Sequence, residues 1–283
     1  RRPANRQKRQ LQQKKKFEAE RLKREQKRAM NAFQAQFSKE LAKNVKPQIQ
    51  KLNSDLASAS TSADVVAALD SSGLMNAPTQ GLNLMGPDTA RSIGQAYSDI
   101  CSKFPFLAGN IGRANCSRLG SSTYGQCSMS RGAIDFNTKY YGRGNEASFA
   151  ASFSNCISTQ FHPQGVMSKG AAYAVASHEL GHAIEGRLEK LMKAAGVDTT
   201  EKRKKRYFIS GRVKDKVLSN LSLVDDRSVI KAELSEYAAM DSAEFFAEAV
   251  SEYLCSRSPR PVAAEVGKIL ERFLKNDFSD LGI

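Results

Sequence analysis

Apolar residues recur at spacings of three and four early in the chain, at Met30, Phe33, Phe37, Leu41 and Val45. That stripe predicts a helix with one face packed on a partner helix or on the body of the protein. Residues 6–56 are otherwise rich in Gln, Lys, Arg, Glu and Ala, and the helical pattern breaks at Pro47 before Ile49, Leu52 and Leu56 resume it. Residues 58–62 are Ser, Thr and Ala, and lead into a short capped helix over 63–70. Gly, Pro and Asn are spread through 71–87, which places a boundary there: a largely helical extension over 1–72 and a second domain over 73–283.

In the second domain, 88–101 has the pattern of an amphipathic helix, followed by a Gly/Ser/Asn-rich region with short strands to about residue 129. Residues 132–141 alternate as a strand, Ile134 and Phe136 against Asp135 and Asn137. It is either an ordinary sheet strand or a sheet edge along which an extended peptide adds. Residues 146–165 carry no decisive pattern and end in a loop whose lone His162 reads as structural. An apolar helix is expected over 168–195, stopped by Gly196. The strongly basic stretch 199–222 reads as a surface excursion. Helices follow over 226–238, 242–254 and 262–273, with Pro259 and Pro261 breaking the chain before the last. Phe245, Phe246, Val250 and Leu254 read as core.

With 283 residues, 41% of them hydrophobic, the chain can bury one sizeable core plus a helical appendage. No run reaches the roughly 18 to 20 apolar residues of a membrane span, so a soluble chain is expected, and its start at Arg1 suggests a processed or trimmed N terminus. The net charge of +14 is unevenly spread: residues 1–28 hold 13 Lys/Arg against 3 Glu, so the remaining chain carries only +4. A basic tail of this kind suits an acidic partner or nucleic acid, yet without interleaved aromatics or a base-reading motif it reads first as a solvated helix. Five cysteines form no CxxC pair. They read as reduced, partly buried thiols, with two disulfides among Cys101, Cys116, Cys127 and Cys156 as the alternative in a secreted chain.

The candidate chemistry lies in the helix of residues 172–186, AYAVASHELGHAIEG, where His178, Glu179 and His182 form H-E-x-x-H. Histidines four apart share a helix face and can hold one zinc ion, with the intervening Glu placed to work on a zinc-activated water. With 3 His and 16 Glu in the chain, chance produces this pattern roughly 0.002 times, so chance is a poor explanation. A third protein ligand is needed. Glu185, Glu244 and Glu248 are the candidates, Glu185 being awkward because it lies nearly two turns beyond His178. A third histidine in the metzincin pattern is excluded by Glu185 and Leu188.

Residues 237–253, YAAMDSAEFFAEAVSEY, resemble the second zinc-binding helix of the gluzincin metalloproteases, most closely the catalytic domain of anthrax lethal factor and related endopeptidases. In that group a Tyr precedes the ligating Glu by seven residues, as Tyr237 precedes Glu244 here. The resemblance covers about 85 residues and omits the N-terminal helices. It implies an α+β zincin-like domain with a small mixed sheet and two zinc-binding helices. It further implies Zn2+ held by His178, His182 and Glu244, Glu179 as general base, and Tyr237 as a phenol near the reacting carbonyl. Glu248, one turn beyond Glu244, is placed to hydrogen-bond a ligand histidine. The expected activity is zinc-dependent hydrolysis of a protein or peptide substrate, in a phage, mobile-element or toxin-effector setting by contextual analogy. The rival expectation is a structural or nucleic-acid-associated protein working through its basic N-terminal helix.

Overall fold

The structure, a computed structural model, describes residues 2–200 and 207–282. Helix α1 (Arg2–Leu41) has two halves of different character. Residues 11–28 are almost wholly exposed, whereas Met30, Phe33 and Phe37 are buried. Phe33 and Phe37 sit 5.5 Å apart, both meet Phe278 edge-on, and Phe37 reaches Phe106 at 5.1 Å. The apolar stripe therefore faces the body. Pro47 occupies the first turn of a new helix, α2 (Lys46–Ser58), where its missing N–H costs nothing. The close fit of α2 onto the body depends on Gly94, since a Cβ there would lie 2.9 Å from the Leu56 side chain. Thr61 and Asp64 cap α3 (Ser62–Ser72) reciprocally, and the helix ends at Gly73 with φ of 71°.

The amphipathic α4 (Pro87–Lys103) packs on the central helix α7 (Ala171–Ala194). Strands β1 (Ala114–Ser117), β2 (Gly125–Ser128) and β3 (Ala133–Asn137) form a mixed sheet in the order β1-β3-β2, β1 parallel and β2 antiparallel to β3. The fold is α+β and mostly helical. The strand expected over 132–141 is shorter, because the Asn137 side chain accepts the Lys139 amide and opens helix α5 (Thr138–Tyr141). β3 is also the central strand, paired on both sides, so it cannot be the edge to which a peptide adds. Among the described residues β2 pairs only with β3, and β2 is the strand lying against α7.

Residues 146–158, undecided from sequence, form α6 (Glu146–Ser158), which buries Phe149 and Phe153 one turn apart. The basic stretch after Gly196 is not wholly a surface excursion. Its residues 201–206 lie outside the described residues, but α8 (Phe208–Asn220) buries Phe208, Ile209, Val213 and Val217. The helix expected over 226–238 is split into α9 (Arg227–Glu233) and a 3-10 turn at Tyr237–Ala239. α10 (Ser242–Cys255) lies along α7, and α11 (Pro261–Leu274) covers α10. Gly181 permits the contact of α7 with α10: a Cβ there would lie 2.9 Å from the Ala247 Cα, so this glycine serves helix packing. All five cysteines are free thiols. No helix among the described residues is long and apolar enough to cross a membrane.

Candidate metal centre

Helix period puts His178 and His182 on the face of α7 turned toward α10, and Asp241 sets the facing carboxylate. Its side chain accepts the amides of Ala243 and Glu244 at 2.8 and 2.9 Å, capping α10 and placing Glu244 in the first turn. Glu244 Oε2 lies 3.2 Å from His178 Nε2 and 3.4 Å from His182 Nε2. Among the described residues, His178, His182 and Glu244 form a group able to hold a metal ion, with ligand atoms within 4.8 Å of one another. Ligands about 2.0–2.1 Å from a tetrahedral zinc stand about 3.3–3.4 Å apart, so the two separations between Glu244 and the histidines suit that ion. Glu244 Oε2 is buried with no hydrogen bond, which leaves its lone pairs for a cation.

The histidines and carboxylates of this cluster are electrostatically coupled. Burial opposes a charged imidazole at His178, but contacts with Glu244 and Glu248 override it and hold the pKa well above the ordinary histidine value. Burial likewise opposes ionisation of Glu244 and Glu248, yet the histidines beside them pull both carboxyls down, Glu248 to about 2. Two ionised carboxylates in a buried cluster require positive charge close by, which the neighbouring histidines supply here.

Glu248 lies behind the centre. Its Oε1 is 2.8 Å from His178 Nδ1, an ionic contact, and its Oε2 accepts the Ser235 hydroxyl at 2.9 Å, so Glu248 lies behind the His178 ring while Nε2 faces Glu244. Ser235 in turn accepts the Ala238 amide at 3.0 Å and so ties Glu248 to the turn carrying Tyr237. Arg260 holds this turn from the other side, donating to the Leu234 carbonyl while pairing with the buried Glu252 at 2.8 Å. The Tyr237 hydroxyl donates to Glu244 Oε1 at 3.2 Å, and its ring stacks on Phe161 at 5.4 Å. Burial and the nearby carboxylates of Glu244 and Glu179 push its pKa far up, so the phenol keeps its proton.

Glu179 points into a cleft of about 690 Å³ shared with His178, Tyr237 and the start of β2. Burial raises its pKa, partly opposed by His178 and His182. A Cβ on Gly125 would lie 3.1 Å from Glu179 Oε1, so glycine at the head of β2 keeps that carboxylate clear.

Glu185 does not join the metal group and is not a surface acid; it is fully buried beneath α8. Its Oε1 accepts the Ser210 amide at 2.8 Å, while Glu189, one turn on, accepts the Phe208 amide at 3.1 Å. The two carboxylates thus take up amides of the first turn of α8. Burial raises the Glu185 pKa to about 7, against the lowering effect of Ser210. A folded-state value above the unfolded 4.5 means that native chains bind the extra proton between these two pH values. Stability then falls as pH rises through the window, by about 3 kcal/mol at 1.36 kcal/mol per unit. Glu185→Gln is expected to flatten this slope and to raise stability at pH 8, read by urea denaturation across pH 5 to 8.

His162, read from sequence as structural, proves to be a buried member of the cleft. Its Nδ1 lies 3.1 Å from Glu248 Oε1, a contact across 86 residues. The available signal was its place in the loop directly before the metal helix.

Comparison of the chain with protein-family models, with curated proteins and with solved structures finds no match.

Proposed function

We propose that this chain is a zincin-like, zinc-dependent endopeptidase, with Zn2+ held by His178, His182 and Glu244. The single observation that carries the reading is the convergence of the Glu244 carboxylate on both histidines of H-E-x-x-H at tetrahedral spacing, with Glu179 directed into the adjoining cleft. The likeness of residues 237–253 to the gluzincin zinc helix supports it from sequence.

When bound, zinc supplies Lewis acidity, polarising the scissile carbonyl and acidifying the attacking water. Glu179, a carboxylate whose pKa is raised by burial, takes the water proton and returns it to the departing amine. Tyr237, which keeps its proton, donates a hydrogen bond to the oxygen that gains charge as the carbonyl becomes tetrahedral. Main-chain groups of β2, at the mouth of the cleft beside Glu179, are available to an extended peptide. Glu248, held by Ser235 and 2.8 Å from His178 Nδ1, is placed to favour the tautomer of His178 that ligates through Nε2.

The exposure of residues 11–28 favours one rival, a nucleic-acid-associated or structural protein acting through its basic helix, or one that uses this helix on an acidic partner. Deleting residues 1–28 separates the two readings. The peptidase reading expects chelator-sensitive cleavage of a peptide library to survive the deletion. Salt-dependent nucleic-acid binding that vanishes on deletion, with no cleavage by either form, would favour the rival.

A further inference from the structure

The cleft holds a third histidine that the proposed chemistry does not use. His162 sits in the loop between α6 and α7 with its ring stacked on Phe153 at 5.2 Å and edge-on to Phe161 at 5.0 Å and to Tyr237 at 5.6 Å. Its loop is tied to the Tyr237 turn by backbone bonds, from the Glu236 amide to the Gln160 carbonyl at 2.8 Å and from the Tyr237 amide to the Phe161 carbonyl at 3.1 Å. The position of the ring is therefore set by four aromatic neighbours, Tyr124 at 6.2 Å being the fourth, and by two backbone clamps. Its rotation is set by Glu248, whose Oε1 is 3.1 Å from His162 Nδ1 and 2.8 Å from His178 Nδ1. One carboxylate oxygen thus lies against two imidazoles and is hydrogen-bonded to that of His162.

That shared oxygen determines what His162 can offer. Facing an ionised carboxylate, Nδ1 must be the donor, so in the neutral ring Nε2 carries the lone pair. Nε2 makes no hydrogen bond among the described residues, and the ring lines the same cleft as Glu179 and Tyr237. An oriented acceptor in a peptide-sized cleft has one complement that every peptide carries, a main-chain N–H.

We infer that His162 is a substrate-binding residue that accepts a main-chain N–H of the bound peptide through Nε2, held in that orientation by the Glu248 oxygen that also lies against His178. The inference rests on the peptidase reading and adds to it a contact that grips the backbone rather than a particular side chain. It places His162 outside the metal group and outside the proton transfers.

Three variants of the full chain test it: His162→Phe keeps the stacking ring without nitrogens, His162→Gln places an amide oxygen near the Nε2 position, and His162→Asn places its amide near Nδ1. Kinetics are read on a peptide that library profiling shows to be cleaved, alongside zinc content and the thermal unfolding midpoint. His162→Phe is expected to raise KM about 3- to 10-fold, the value of one hydrogen bond made equally in ground and transition states, with kcat within about twofold and one zinc per chain retained. His162→Gln is expected to recover most of the KM change and His162→Asn little of it. Recovery by Asn and not Gln would mean that His162 acts only through Glu248, and would overturn the inference. An unchanged KM in His162→Phe would overturn it too, as would loss of zinc or of the folded transition in all three variants. A zinc-loaded wild type that cleaves no peptide would refute the peptidase reading itself, and the inference with it; that outcome is distinct from active wild type with indifferent variants.

Discussion

Glu244→Ala is expected to empty the metal centre while leaving the fold in place. Glu244 provides the carboxylate oxygen that meets both histidines, and its removal leaves two imidazoles, too few for a stable protein zinc site. The side chain is not needed for packing, being partly exposed in the first turn of α10, whose cap comes from Asp241. Zinc content by elemental analysis should fall from one per chain to near zero, with the circular dichroism spectrum unchanged. Glu248→Ala is the informative contrast. Glu248 supports His178 without reaching the ion, so its loss should weaken zinc binding about 10- to 100-fold rather than abolish it. If Glu248→Ala empties the site and Glu244→Ala stays full, the third ligand is misassigned.

Glu179→Gln is expected to do the reverse, keeping zinc and losing the reaction. The amide is isosteric and cannot take the water proton, so kcat should fall about 100- to 10,000-fold with KM little altered. Zinc content should stay at one per chain because Glu179 is not among the ligand group. Equal loss of zinc and activity in this variant would mean that Glu179 supports the centre instead of acting on water.

The parts of the site that sequence disclosed are those carried by one local period or one short spacing. His178 and His182 are four apart on one helix, and Glu244 follows Tyr237 by seven residues across a single cap. Contacts made by distant segments were opaque. Nothing local marks His162 as the partner of Glu248, because the two meet only when the α6–α7 loop folds over α10. Glu185 likewise gives no sign in sequence that α8 will cover it.

Among the fold elements, α8 was obscured by the cations preceding it, although Phe208, Ile209, Val213 and Val217 already mark a buried face. Thr138, Tyr140 and Tyr141 have strand-like side chains that extend the apparent strand past β3, whereas the Asn137 cap turns them into a helix. The register of β1, β3 and β2 involves pairing at a distance and had no signature in residues 114–137. The apolar stripe of α1, by contrast, is legible from Met30 to Phe37, although the helix ends at Leu41 and Val45 lies beyond it, directly before α2.

The central claim is tested most directly by titrating zinc into metal-free protein while following cleavage of a peptide library by mass spectrometry. Cleavage should rise in proportion to zinc and level off at one equivalent per chain, with Glu179→Gln binding the same equivalent and cleaving nothing. Cleavage that persists without metal, or one bound zinc with no cleavage at any occupancy, would contradict it.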